Sequence, residues 1–158
     1  MLYIYSMNLR FRLLASFLFM SLVLNAQPVF FKDYRPLADS LSKVYQIPAS
    51  VILAVAYQES GGGISVVGKR LNNHFGIRGR VIGGDTVSVK SSYKYFSKAE
   101  DSYVYFCKLV ASKKFYPSLK GNTDYKKWII SISKTGYAAN AQVWSSHIIG
   151  VVERYKLY

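Results

Sequence analysis

The sequence has little material for disulfide, thiol or metal chemistry, because its 158 residues include one cysteine and two histidines. The single cysteine, Cys107, excludes an internal disulfide and lies among apolar residues at helical spacing, which indicates a buried small side chain. The histidines, His74 and His147, do not form a zinc-binding spacing with it, so we predict neither a metal nor another cofactor. A catalytic pair between Cys107 and one histidine is the weaker alternative.

Acidic residues are also scarce: the chain has 8 of them against 21 lysines and arginines, a net charge of +13 and a pI of about 9.8. Such a surplus favours an anionic partner, which can be nucleic acid, a membrane surface or an acidic wall polymer. The apolar fraction of 51% is sufficient for a core. The length and the lack of internal repeats indicate one domain.

The N-terminal apolar run is too short for a comfortable membrane span. It covers residues 13–24, about a dozen residues where a spanning helix needs about 20. Arg10 and Arg12 precede the run and Ala26 follows it, which is typical of a secretory signal peptide over residues 1–26, with Met7 as an alternative start. An uncleaved N-terminal anchor is the alternative interpretation.

Cleavage would leave residues 27–158 as the mature domain, which we expect to be monomeric and either secreted or kept in the periplasm or cell envelope. This domain stays strongly basic because cleavage of residues 1–26 removes two arginines and no acidic residue. An exported basic domain meets anionic wall polymers rather than the nucleic acid of the cell. We therefore expect no nucleic-acid partner and no stable membrane insertion after cleavage.

Hydrophobic spacing predicts a mostly helical domain of the α+β class. A first helix is predicted over residues 33–45. A second helix, apolar on nearly all sides, is predicted over residues 48–60, with a proline in its first turn and Gly61-Gly62-Gly63 as its end. Residues 64–80 are predicted as loop.

A small β-ribbon is predicted between residues 77 and 96, where apolar and polar residues alternate around the turn signal Gly83-Gly84-Asp85. Residues 97–100, Ser-Lys-Ala-Glu, have the pattern of a capping box at the start of the next helix. Two more helices are predicted over residues 124–136, with an aspartate as N-cap, and over residues 141–155. The ribbon is therefore inserted between two helical parts.

One of the eight acidic residues lies in an unfavourable place for a charge. Glu59 is in the last turn of the apolar helix and shares a face with Ile52 and Val55. Burial and the negative end of the helix dipole both disfavour the ionised carboxyl group, so the pKa of Glu59 should be raised. An acid that keeps its proton near neutral pH is suited to general acid catalysis. The alternative is an ordinary glutamate that faces solvent or pairs with Lys69 or Arg70.

Several segments, in this order and at fitting intervals, resemble one known family. They are IPASVILAVAYQESGGG from Ile47, NNHFGIRG from Asn72, FSKAEDS from Phe96, GYAANAQV from Gly136 and ERYKLY at the end of the printed sequence. Together they are similar to the bacterial glucosaminidase family, glycoside hydrolase family 73, which includes flagellar muramidase-like and autolysin domains.

The resemblance implies a lysozyme-like fold, in which a helical body and a β-lobe enclose a groove, with residues 27–158 as a single catalytic domain. It implies hydrolysis of the bond after N-acetylglucosamine in the glycan strands of peptidoglycan, which would be the partner of the enzyme. By the same resemblance Glu59 is the catalytic acid, and His74 is assigned no chemistry. Substrate-binding roles fall on residues of the matching segments: Ser60, Asn73, Phe75, Gly76 and Tyr137.

Two features depart from the family pattern. Many members carry a second carboxylate in the β-ribbon, whereas TVSVKSSYKYF from Thr86 contains no acid, which leaves only Asp85 as a second catalytic group. Glycoside hydrolysis ordinarily uses two carboxylates. Either Asp85 acts through a mobile ribbon, or the acetamido group of the substrate assists, or the enzyme is weak or inactive. Gly62 also replaces a tryptophan that often follows Glu-Ser-Gly, which would reduce the sugar-stacking surface.

Two alternative functions follow from these departures. The domain would be a wall-binding module if its chemistry is incomplete, although such a module has little reason to keep an acid at position 59. It would be a lytic transglycosylase if Glu59 acts alone, because that chemistry needs a single glutamate. The lack of a zinc-ligand pattern disfavours an amidase, and the signal peptide and the lack of a recognisable motif disfavour a nucleic-acid binder.

Overall fold

The structure, a computed structural model, describes residues 27–79 and 92–158, and these are mostly helical. Seven α-helices follow one another along the described residues, and the sixth continues into a π-helical turn. They are α1 (Val29–Tyr45), α2 (Ala49–Ser60), α3 (Val66–Leu71), α4 (Ala99–Ala111), α5 (Tyr116–Leu119), α6 (Tyr125–Ile132), the π-helical turn (Ser133–Tyr137) and α7 (Ala141–Arg154). The predicted helical character is confirmed, whereas the signal peptide predicted over residues 1–26 lies outside the described residues.

Helix α2 is the centre of the domain because every residue from Val51 to Ala56 is fully buried. Helices α1 and α7 pack against it, and α4 and α6 also contact it. Its bounds agree with the prediction: Pro48 is the N-cap, and Gly61, with φ 59°, ends the helix in the left-handed conformation that glycine adopts without strain. A helix buried on all sides places any polar residue at its end against the core.

Helix α1 begins at Val29, earlier than residue 33, where the sequence predicted its start. The additional turn is stabilised by burial, because Phe30 and Phe31 are 7% and 0% exposed and their rings contact Tyr57. Because the helix starts this early, Pro36 lies in its interior and not in its first turn. Packing of two aromatic side chains outweighs the loss of one helical hydrogen bond.

Helix α3 lies within residues 64–80, so the prediction of a loop there was wrong in part. The helix has 6 residues and begins after Ser65, whose hydroxyl oxygen accepts a hydrogen bond from the Gly68 amide at 3.0 Å. So short a segment carries too few turns for a recognisable apolar periodicity, although the N-capping serine was visible.

The capping box predicted at residues 97–100 is not formed. The N-cap of α4 is Lys98, one residue further along, and no side chain caps it. Asn72 explains the shift, because its side-chain amide donates to the carbonyl oxygens of Phe96 and Ser97 at 3.0 and 3.1 Å and fixes this segment outside the helix. The aspartate cap predicted for the helix near residue 124 is confirmed: Asp124 accepts hydrogen bonds from two amides of the first turn of α6.

The predicted β-ribbon is visible at its base only. Arg78 and Tyr93 form an antiparallel bridge, and the Lys94 amide donates to the Ile77 carbonyl oxygen at 2.8 Å. Residues 80–91, which would form the remainder of the ribbon, lie outside the described residues, so the ribbon stays a prediction. No helix within residues 27–79 and 92–158 is both long and apolar enough to cross a membrane.

Candidate active site

Glu59 lies at the C-terminal end of α2 and opens onto a cavity of about 680 Å³, a volume typical of a ligand site. The cavity is bounded by the end of α2, the segment after α3, one face of α4 and the π-helical turn. The described residues that line it are Glu59, Phe75, Gly76, Ile77, Arg78, Tyr105, Leu109, Gly136, Tyr137, Ala138 and Ala139. Of these, Glu59 is the only acid and Arg78 the only base.

The environment of Glu59 favours its protonated form. Partial burial raises the pKa of its carboxyl group, and a hydrogen bond from Trp144 lowers it by a smaller amount. The indole Nε1 of Trp144 donates to Glu59 Oε1 at 2.6 Å. Neither Lys69 nor Arg70 pairs with Glu59, so no neighbouring cation among the described residues offsets the cost of burying its charge. The raised pKa expected from the sequence agrees with this geometry.

Gly76 provides the space around the second carboxyl oxygen. A Cβ atom at this position would lie 3.4 Å from Glu59 Oε2, and the residue adopts φ 59°. A side chain would therefore both strain the backbone and crowd the carboxyl group. Glycine leaves Oε2 accessible from the cavity.

Tyr137 forms one wall of the cavity, as the sequence predicted for a residue that contacts the substrate. Its hydroxyl donates to the Phe75 carbonyl oxygen at 2.8 Å, and its ring lies 5.3 Å from that of Trp144. Burial, and then the charge of Glu59, raise the pKa of the phenol, so it is neutral at physiological pH. Because the hydroxyl proton is already donated to the Phe75 carbonyl oxygen, a ligand would contact mainly the ring of Tyr137.

Two predicted binding residues lie beneath the cavity and do not line it. Asn73 is fully buried: its amide group donates to the carbonyl oxygens of Ile77 and Lys94, and its Oδ1 accepts from the Ile77 amide. Ser60 is also fully buried, with its hydroxyl between the Ala56 carbonyl oxygen and the Gly63 amide. Both residues shape the backbone around the site, whereas Phe75 and Gly76, predicted beside them, do line it.

Several residues of the site were not predicted, and three of them carry polar groups. Trp144 reaches Glu59 from α7, and Arg78 and Tyr105 line the cavity. Arg78 lies in the segment NNHFGIRG, which carried the family resemblance, so it could have been predicted as a site residue. Trp144 stood out only by its helical spacing, and no sequence pattern singled out Tyr105. Asp85, the predicted second catalytic group, lies outside the described residues.

Of the side chains considered for a cysteine–histidine pair, Cys107 and His74 are buried in the core, whereas His147 is exposed on α7. Cys107 is fully buried, and burial raises the pKa of its thiol to about 12, so no thiolate forms near neutral pH. His74 is 4% exposed, its ring lies between Tyr34 and Phe30, and burial lowers its pKa. These residues belong to the aromatic core, as predicted for Cys107.

A carboxyl group whose pKa is raised by burial, and which faces an open cavity beside an aromatic ring, is an arrangement found in glycoside hydrolases. The comparison of families agrees with this class. Residues 35–157 match the glucosaminidase family, described as mannosyl-glycoprotein endo-beta-N-acetylglucosaminidase. The chain belongs to this family and is therefore a glycoside hydrolase.

Solved structures share the fold at low sequence identity. The catalytic domain of the autolysin Auto from Listeria monocytogenes has a TM-score of 0.67 and 21% identity, over 87% of this chain and 91% of that one. A peptidoglycan hydrolase from Sphingomonas sp. A1 has a TM-score of 0.59 and 20% identity, over 82% and 94%. A type VI secretion effector–immunity complex from Pseudomonas protegens has a TM-score of 0.57 and 23% identity, over 81% and 92%. No curated protein matches significantly.

Proposed function

We propose that this enzyme hydrolyses the glycan strands of bacterial peptidoglycan at the bond after N-acetylglucosamine, with Glu59 as the general acid. The observation that carries the proposal is the partly buried carboxyl group of Glu59 at the edge of the cavity, whose pKa is raised by that burial. Membership of the glucosaminidase family supports the reaction. The substrate is supported by structural neighbours that are an autolysin and a peptidoglycan hydrolase.

The first chemical step is proton transfer from Glu59 to the glycosidic oxygen, which makes the departing sugar a good leaving group. A water molecule then attacks the anomeric carbon, and this step needs a second group that acts as a base or stabilises positive charge. Among the described residues that line the cavity, Glu59 is the only acid. The second group is therefore Asp85, in the undescribed segment, or the acetamido group of the substrate itself.

The proposed cellular setting follows from charge and from the N-terminal segment. Residues 1–26 would direct export, and the surplus of lysine and arginine would then hold the enzyme near anionic wall polymers. Arg78, the one basic side chain among the described residues that line the cavity, would extend this attraction to the site itself.

Digestion of purified peptidoglycan by residues 27–158 tests the proposal, with Glu59→Gln and Asp85→Asn as variants. Glu153→Gln is the matched control, because it removes an exposed carboxylate paired with Lys126 on the outside of the domain. We expect wild type and control to release new reducing ends at N-acetylglucosamine and Glu59→Gln to release none. Retained activity in Asp85→Asn would assign the second role to the acetamido group.

Two other outcomes would replace the proposal. Anhydro-muramyl products detected by mass spectrometry would identify a lytic transglycosylase, which the single acid among the described cavity residues also accommodates. Equal binding of peptidoglycan by wild type and Glu59→Gln, without fragments from either, would identify a wall-binding module.

A further inference from the structure

Trp144 contacts the catalytic carboxyl group from behind the cavity. The residue lies in the first turns of α7, is 9% exposed, and is not among the described residues that line the cavity. Its indole Nε1 donates to Glu59 Oε1 at 2.6 Å, a short distance for a hydrogen bond to a carboxyl oxygen. The contact joins α7 to the end of α2.

The chemistry of indole determines where the proton of Glu59 is located. An indole N–H only donates, so the oxygen that it contacts must act as an acceptor whether the carboxyl group is charged or neutral. The carbonyl oxygen of a neutral carboxylic acid is a better acceptor than its hydroxyl oxygen, so the neutral acid carries its proton on the other oxygen, Oε2. That oxygen lies on the side of Gly76, a residue that lines the cavity and has no side chain to block it.

We propose that Trp144 is a positioning residue, which fixes the carboxyl plane of Glu59 and directs its acidic proton from Oε2 into the cavity. This inference rests on the proposed function of Glu59 as the proton donor. A carboxyl group without this contact would rotate about its last bond and would present the proton to the cavity only part of the time.

The surroundings of Trp144 hold its ring in place. Its own amide donates to the carbonyl oxygen of Asn140, the N-cap of α7, at 3.0 Å. Its ring lies against that of Tyr137, whose hydroxyl is bonded to the Phe75 carbonyl oxygen. The cavity floor, the tyrosine, the indole and the carboxyl group therefore form one continuous set of fixed contacts. Preorganisation of this kind is what general acid catalysis requires of a supporting residue.

The pH profile distinguishes this role from a purely structural one. The charged or titratable groups near Glu59 are the Tyr137 phenol from the π-helical turn, Arg78 and Tyr105 from the cavity walls, and Tyr93 beside Gly76. Removal of the indole donor would leave these groups in place and would destabilise the ionised carboxylate more than the neutral acid. A general acid works while protonated, so the activity would persist to higher pH.

The first test is the pH dependence of kcat/KM in Trp144→Phe, which keeps most of the ring and loses the donor. Trp128→Phe is the matched control, because it removes an indole donor that bonds the Asn122 carbonyl oxygen at 2.8 Å, away from the cavity. We expect Trp144→Phe to lower kcat/KM about ten- to hundredfold and to move the alkaline limb upward by about one pH unit. An equal loss at every pH, with no movement of the limb, would overturn the proposal.

The second test needs no activity and no tryptophan variant. The two indole N–H groups of the chain give two signals in a proton–nitrogen NMR spectrum, and Trp128 serves as an internal reference. The Trp144 signal should titrate with Glu59 and become insensitive to pH in Glu59→Gln, whereas the Trp128 signal stays constant. A Trp144 signal that does not titrate would refute the contact itself. An inactive protein with a titrating signal would instead locate the failure in the proposed function.

Discussion

Replacement of Glu59 with glutamine should stabilise the folded protein at neutral pH while it removes the proposed activity. Burial raises the pKa of Glu59 in the folded state. Below the unfolded pKa the group is protonated in both states and has no effect. As the pH rises, the unfolded chain releases its proton first, so stability is lost until the folded pKa is passed. Glutamine cannot ionise, and the variant avoids this loss.

The expected gain follows from what the substitution keeps. Glutamine has nearly the same shape, and its side-chain oxygen can still accept from Trp144, while its amide group faces the cavity where Oε2 is now. Each pH unit by which the folded pKa of Glu59 exceeds the unfolded value costs about 1.4 kcal/mol at neutral pH. A gain of about 1 kcal/mol would raise the Tm of a domain of this size by about 4 °C.

Thermal unfolding followed by circular dichroism at pH 7 and pH 4 measures the effect. Glu59→Gln should be more stable than wild type at pH 7, and the difference should nearly disappear at pH 4. Glu153→Gln is the control with the opposite sign, because Lys126 lowers the pKa of Glu153. A Glu59→Gln variant that is destabilised, or shifted equally at both pH values, would refute the description of Glu59 as an acid raised by burial.

Two further predictions concern the cavity floor and wall. Asn73→Ala should cost about 2–4 kcal/mol of unfolding free energy in chemical denaturation, since it removes two buried hydrogen bonds to Ile77 and one part-buried hydrogen bond to Lys94, on the other side of the ribbon base. An effect below 1 kcal/mol would argue against that role. Tyr137→Phe should lower kcat/KM less than tenfold, because the ring that faces the cavity remains; a loss as large as that of Glu59→Gln would mean that the hydroxyl contacts the substrate.

The buried carboxyl group of Glu59 was predictable from local sequence because the relevant information lies within one helix. An apolar helix that ends in glycines and carries Glu59 on an apolar face predicts a buried carboxyl group, and the structure agrees. The predicted cause was incomplete: burial is the principal reason for the raised pKa of Glu59, and the opposing hydrogen bond from Trp144 was not foreseen. That partner is 85 residues away along the chain, and its helix carries no local sign of the contact.

The family resemblance was accurate for the cavity as a whole and less so for individual contacts. A sequence motif does not distinguish residues that line a cleft from residues that support its backbone, because a particular side chain is required at both kinds of position. Phe75 and Gly76 line the cavity, whereas Asn73 and Ser60 support it from beneath. The short helix α3 and the early start of α1 were missed because packing of neighbouring elements, rather than local periodicity, stabilises them.

Glu59 forms no ion pair among the described residues although the chain is strongly basic, and this contrast bears on why its pKa is raised. In a protein of net charge +13, a carboxylate near the surface readily finds a cation, as Glu153 does with Lys126, and its pKa then falls. The pKa of Glu59 is raised in the same molecule, because its carboxyl group is partly buried and no cation among the described residues pairs with it. The opposite shifts of these two carboxyl groups follow from their local surroundings, burial for Glu59 and an ion pair for Glu153, and not from the net charge. In the proposed function, the same surplus of charge attracts an anionic polymer while no cation among the described residues pairs with Glu59.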